Sequence, residues 1–219
     1  MKTRLTYLVS FCCVAFACRA SLAAGPLGTV SVQEGNIVYT DPTGATEVLT
    51  ETGADGAPRL SPDGTLVAFT RLTRDADEAN FNPAVRDLWV IRLKDHKARR
   101  LVTGAPEGKE QPEQVLAAID HPAFSPDDDT VYFMTAAWAT SSAIHAVSAA
   151  GGAQRFVTSG NSLEVVSVGR YKGALLVEQH RYMDGHGSWN PAVLVSSSGK
   201  KIKVVGEGRH ALQSVEAEQ

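Results

Sequence analysis

Pro58-Arg59-Leu60-Ser61-Pro62-Asp63-Gly64-Thr65-Leu66-Val67-Ala68-Phe69-Thr70 sets the fold class of this chain. A tight turn separates two apolar runs: Pro62 presets its φ, Asp63 can bond its own backbone and Gly64 takes a positive φ, so the chain reverses at once. Further along, Leu88-Trp89-Val90-Ile91-Arg92 and Arg99-Arg100-Leu101-Val102-Thr103 add two more β-branched or aromatic runs before Gly104. Pro58 to Gly104 therefore reads as four short strands, and no window keeps a helical period.

The pattern returns from Pro122 to Gly160, with Ala123-Phe124-Ser125-Pro126-Asp127, Val131-Tyr132-Phe133-Met134-Thr135, Ile144-His145-Ala146-Val147-Ser148 and Gln154-Arg155-Phe156-Val157-Thr158. A more worn copy runs from Leu163 to Gly208 through Val165–Val168, Ala174–Val177, Ala192–Val195 and Lys201–Val205, with turn signals at Lys172-Gly173 and Ser198-Gly199. Four-stranded units of about 40 to 45 residues suit propeller blades, because each sheet hides its faces only against its neighbours. The expected class is all-β, a β-propeller of four-stranded antiparallel blades.

A small apolar approach, Ser61-Pro62-Asp63-Gly64 or Ser125-Pro126-Asp127, and then an apolar strand resembles the propeller repeats of the TolB family of exported proteins. The resemblance covers roughly Asn36 to Val205, with fewer repeats than a full ring of that family. It implies a propeller fold, a periplasmic location and a binding or scaffold role in the cell envelope.

Thr29–Gln33, Asn36–Tyr39 and Glu47–Thr50 match the second, third and fourth strands of one more blade. Its innermost strand is expected from Ala211–Val215, which would close a ring of four blades and hide the sheet edges. The other arrangement on this count is a half-propeller that pairs with a second copy as a homodimer.

The N-terminus reads as a secretory signal peptide over residues 1–24, followed by a single domain over 25–219. Lys2 and Arg4 precede the apolar run Leu5–Ala17, and Ser21-Leu22-Ala23-Ala24 offers small residues for cleavage. The run is shorter than the roughly 20 residues that span a bilayer. Cys12, Cys13 and Cys18 all fall inside it, so the mature chain is expected to carry no thiol chemistry. Lipidation at Cys18 is disfavoured by the bulky Phe16 before it. Cleavage also removes Lys2, Arg4 and Arg19, leaving 18 basic against 24 acidic residues. Such a surface repels phosphate backbones, which argues against a nucleic-acid partner.

Strand parity sends Arg71–Arg86, Ala105–His121 and His180–Pro191 to one face of the disc, and tight turns such as Pro62–Gly64 and Ala149–Gly152 to the other. Loops beyond about 12 residues are usually functional or disordered, so the long-loop face is the candidate binding surface. Its densest cluster of reactive side chains is His180, Arg181, Tyr182, Asp184, His186 and Trp189, with Asp120 and His121 on the same face. His121, His180 and His186 are of the types that accept a divalent metal, although their spacing is not that of a tight ligand set. The same segment also suits a solvated loop anchored by Tyr182 and Trp189. Arg71 to Glu78 alternates charge like a solvated loop, and Pro106 to Glu113 is similarly polar.

No Gly-x-Ser-x-Gly elbow, phosphate-cradling loop, His-Glu-x-x-His or dinucleotide fingerprint occurs, so no organic cofactor is indicated. Two functions follow. One is a binding module that holds a protein or peptide through the long-loop face; the other is a small hydrolase or lyase with His180 or His186 as base and Arg181 or Tyr182 steadying charge.

Overall fold

The structure is a computed structural model and describes residues 27–80, 82–106, 111–139, 141–183, 185, 187–206 and 211–218. The expected signal peptide, with Cys12, Cys13 and Cys18, lies outside the described residues.

The first sheet holds β1 (Thr29–Gln33), β2 (Asn36–Thr40) and β3 (Thr46–Val48). The second holds β4 (Asp55–Leu60), β5 (Leu66–Arg74), β6 (Val85–Arg92) and β7 (Ala98–Val102). The third holds β8 (Ala117–Phe124), β9 (Thr130–Ala136), β10 (Ser142–Ser148) and β11 (Arg155–Ser159). The last begins with β12 (Glu164–Val165) and β13 (Leu175–Glu178), gives way to a separate hairpin of β14 (Arg181–Met183) and β15 (Gly187–Trp189), and resumes with β16 (Ala192–Val195) and β17 (Lys201–Gly206). Every pairing is antiparallel and runs in chain order within each sheet. This is the expected propeller architecture of four-stranded blades.

Apolar side chains on facing sheets make the core. Ile37 and Leu49 pack on Val67, Phe69 and Ile91 between the first two sheets. Ala68, Leu88 and Val90 meet Ile119, Phe124, Val131 and Phe133 between the second and third. Tyr132, Ile144 and Val157 meet Leu175, Val177 and Val193 between the third and fourth. Each sheet is covered by its neighbour, as a stack of flat amphipathic layers requires.

The Ser-Pro-Asp turns have a shared chemistry. Ser61 is buried; its hydroxyl donates to Asp63 Oδ1 at 2.7 Å and accepts from the Thr65 and Leu66 amides at 3.1 and 2.9 Å. Ser125 repeats this with Asp127 Oδ1 at 2.5 Å and the Thr130 amide at 3.0 Å. Burial pushes the Asp63 carboxyl upward, but the bonds from Ser61 and Thr65 outweigh it and hold the group below its ordinary value. Asp127 is lowered chiefly by the Ser125 hydroxyl. One buried serine thus satisfies the backbone donors that the reversal leaves over.

Ala211–Val215 is not the expected inner strand. It lies in a short helix, α1 (Ala211–Glu216). Ala211 and Val215 are four apart, so a helix sets both on one side, where they are buried against Leu176 and Leu194 of the fourth sheet and Val166 and Ala174 of its first connection. A strand would have set the exposed Gln213 on that same face. The helix is pinned by Glu216 Oε1, which accepts from the Ser167 amide and hydroxyl at 3.0 and 2.8 Å, and by a Lys203–Glu218 ion pair. Among the described residues the first sheet therefore has three strands, and α1 occupies the far face of the fourth.

Arg71 also departs from expectation. It lies in β5, not in a solvated loop, and its guanidinium bonds the fully buried Asp55 carboxylate bidentately at 2.6 and 2.9 Å. It also lies over the Trp89 ring at 4.7 Å.

Candidate functional site

Three long connections do leave the same face, as strand parity dictates: residues 75–84 between β5 and β6, 103–116 between β7 and β8, and 179–191 between β13 and β16. The third is not an irregular loop. Its register pairs Arg181 with Trp189 and Tyr182 with Ser188, which makes it a two-stranded ribbon.

The base of this ribbon is tied to the propeller. Gln179 Nε2 donates to Thr158 Oγ1 at 3.2 Å and to the Ser159 carbonyl at 3.0 Å, and the Gln179 amide donates to the Pro191 carbonyl at 3.0 Å. Arg181 Nη2 donates to Gln179 Oε1 at 2.6 Å. With both ends of Gln179 used, the hairpin is braced against the third sheet.

Alternation along β14 divides the expected cluster. His180 and Tyr182 share one side, their rings edge-to-face with centroids 4.9 Å apart, whereas Arg181 and its cross-strand partner Trp189 take the other. Tyr182 is 76% exposed and Trp189 half-buried. His180 Nδ1 donates to Asn190 Oδ1 at 2.8 Å, so the neutral ring keeps its lone pair on Nε2. Asp184 and His186 lie outside the described residues.

His121 lies on β8, exposed, with its ring Nδ1 3.5 Å from Asp120 Oδ2. It has φ 50° at a bulge directly before Pro122, and Ala57 has φ 48° at the matching bulge before Pro58. The same backbone recurs in the second sheet with an alanine, so the bulge belongs to the repeat and the imidazole is what varies. Among the described residues, no group of three or more His, Cys, Asp or Glu side chains is gathered to hold a metal.

The turn face carries more than tight turns. β12 ends at Val165 and the nine residues Val166–Ala174 loop over before β13. A cavity of about 540 Å³ opens there, lined by Leu60, Phe124 and Val165 from three successive inner strands and by Arg59, Lys172 and Glu164. A second, of about 400 Å³, lies between the third and fourth sheets, lined by Asp127, Tyr132, Arg170 and Ser196 among others. These groups come from different repeats, and no single stretch of sequence announces them.

No protein-family model matches the chain, and no curated protein matches it in sequence. Solved structures do match. TolB from Acinetobacter baumannii superposes with a TM-score of 0.52 at 18% identity, over 82% of this chain and 40% of that one. This chain has a TolB-like β-propeller fold. Dipeptidyl peptidase 4 from Porphyromonas gingivalis gives 0.57 at 14% identity, over 83% of this chain and 31% of that one. An oligogalacturonate lyase solved in complex with manganese gives 0.50 at 14%, over 78% and 42%. The TolB-like propeller thus spans less than half of each of these proteins. At such identities the likeness concerns the fold, which is shared by TolB, a peptidase and a lyase.

Proposed function

We propose that this TolB-like propeller is an exported, periplasmic binding module that holds a protein or peptide partner of the cell envelope through its long-loop face. The observation that carries this reading is the braced β14–β15 ribbon with Tyr182 projecting from it and His180 packed against the ring. Tyr, Trp and Arg are the side chains that dominate binding hot spots, and a pre-ordered ribbon loses little entropy on docking. The apolar N-terminal run and its small-residue cleavage site support export, and no helix among the described residues is long and apolar enough to cross a membrane. The acidic balance of the chain argues against a nucleic-acid partner. A photo-crosslinking residue placed at position 182 in living cells is expected to trap one discrete envelope protein. Tyr182→Ala and Trp189→Ala should each weaken that partner's binding by roughly tenfold or more. Equal affinity in both variants would reject the long-loop face.

A second reading, a small hydrolase or lyase with a His-based site, draws on one feature. Asn190 holds the His180 ring with Nε2 as acceptor, the form a general base or metal ligand needs. Saturable heat on titration with zinc or manganese, abolished by His180→Ala, would favour it. A flat titration, together with no turnover of a carbohydrate and peptide panel, would dismiss it.

A further inference from the structure

β1 stands where the second strand of a blade belongs. In the second, third and fourth sheets that position is flanked by an inner strand, β4, β8 or β12, but the first sheet has none. The packing agrees. β8 touches β4, β5 and β6 of the preceding sheet, whereas the main contacts of β4 with the first sheet are to β1 and β2, the counterparts of the last two. One inner-strand position next to β4 is thus unfilled among the described residues.

The edge left behind is chemically defined. Glu34 and Gly35, with φ of 50° and 71°, form the two-residue turn joining β1 to β2, and Gln33 faces Asn36 across it. This pair is the hydrogen-bonded one in such a hairpin, so Thr29, Ser31 and Gln33 direct their backbone groups at β2. Val30 and Val32 direct theirs the other way, and among the described residues no backbone group meets them there. The Val32 side chain is 44% exposed, and Val30 and Leu60 of β4 are only partly covered.

We propose that this vacancy is a binding site for an extended peptide segment with apolar residues at alternate positions, which adds to β1 as an antiparallel inner strand. Strand addition to an open edge draws its affinity from main-chain bonds and its selectivity from alternate side chains. The occupant's chemistry follows from the three inner strands present, which bring Leu60, Phe124 and Val165 to the wall of one cavity and pair antiparallel with the next strand. The site is separate from the long-loop face and does not depend on a partner docking there.

The probe is a synthetic peptide with the sequence of β8, residues 117–124, set against a scrambled peptide, with the full chain as receptor. Saturable binding of the first, with slowed amide exchange at Val30 and Val32, is the expected result. Val32→Pro removes an edge N–H without breaking a bond to β2 and should weaken binding by roughly tenfold, since proline is tolerated on an edge strand. The peptide supplies a test that does not depend on the variant folding: methylating one alternate set of its backbone nitrogens should abolish binding, and methylating the other should not. Equal binding of both methylated peptides would overturn the proposal. So would loss of binding in Tyr182→Ala but not Val32→Pro, or protection of β1 through association of two copies without peptide.

Discussion

Ser61 shows what one side chain does in this fold. Its buried hydroxyl serves two backbone amides and one carboxylate beneath an otherwise exposed turn. Ser61→Ala removes the acceptor of the Leu66 amide and the donor to Asp63, while the Thr65 amide keeps Asp63 Oδ1 at 2.9 Å, and urea unfolding should register a loss of about 1–2 kcal/mol. His145 makes a different case. It is fully buried between Phe133 and Phe156, with Nδ1 donating to Gln154 Oε1 at 3.2 Å and Nε2 accepting from Thr135 Oγ1 at 3.0 Å. Burial is the main cause that lowers its pKa from the ordinary 6.5. The unfolded chain therefore takes up a proton near pH 6.5 while the folded one does not, so stability is full above that pH and falls as pH drops towards the lower folded value. Thermal midpoints measured from pH 7.5 to 5 should decline in the wild type and decline less in His145→Gln. The apolar run Ile144–Val147 marks His145 as a strand residue in sequence, but that Phe133 and Gln154 reach it is decided only by the pairing of separate strands.

At the scale of elements, α1 depends on its neighbours more than on its own composition. A six-residue helix has no independent stability, since nucleation alone outweighs so few hydrogen bonds. What holds it is the contact of Ala211 and Val215 with the fourth sheet. Val215→Asp should therefore melt α1, cost roughly 3 kcal/mol and speed amide exchange at Leu176 and Leu194, with Phe69 and Ile91 unaffected. The ribbon β14–β15 shows the same limit on what the sequence reveals. Turn residues and aromatics mark residues 178–189 as a special connection, but the separation of His180 and Tyr182 from Arg181 and Trp189 appears only once the strands are in register.

For the molecule as a whole, neighbouring sheets are the unit of stability, and the two ends of the row are treated differently. The far face of the fourth sheet is apolar and lies under α1, while the far face of the first carries Ser31, Thr29, Thr40 and Thr46 among its valines. Polar or covered outer faces keep stacked repeats soluble. Light scattering of the purified chain should accordingly give the mass of one copy. Val215→Asp, by uncovering Val166, Leu176 and Leu194, should make that mass rise with concentration.

The sequence by itself determined the blades. Alternating apolar residues and Ser-Pro-Asp turns act over a few bonds, through φ preferences and local side-chain bonding, so they are legible without neighbours. The Thr29–Gln33, Asn36–Thr40 and Ala192–Val195 strands were within reach for the same reason. Tertiary structure decided that Ala211–Val215 coils into a helix, that Arg71 pairs with the buried Asp55, and that among the described residues the first sheet has no inner strand. Each of these rests on which surface a short segment meets, a long-range burial term larger than the fraction of a kcal/mol per residue that separates helix from strand propensity.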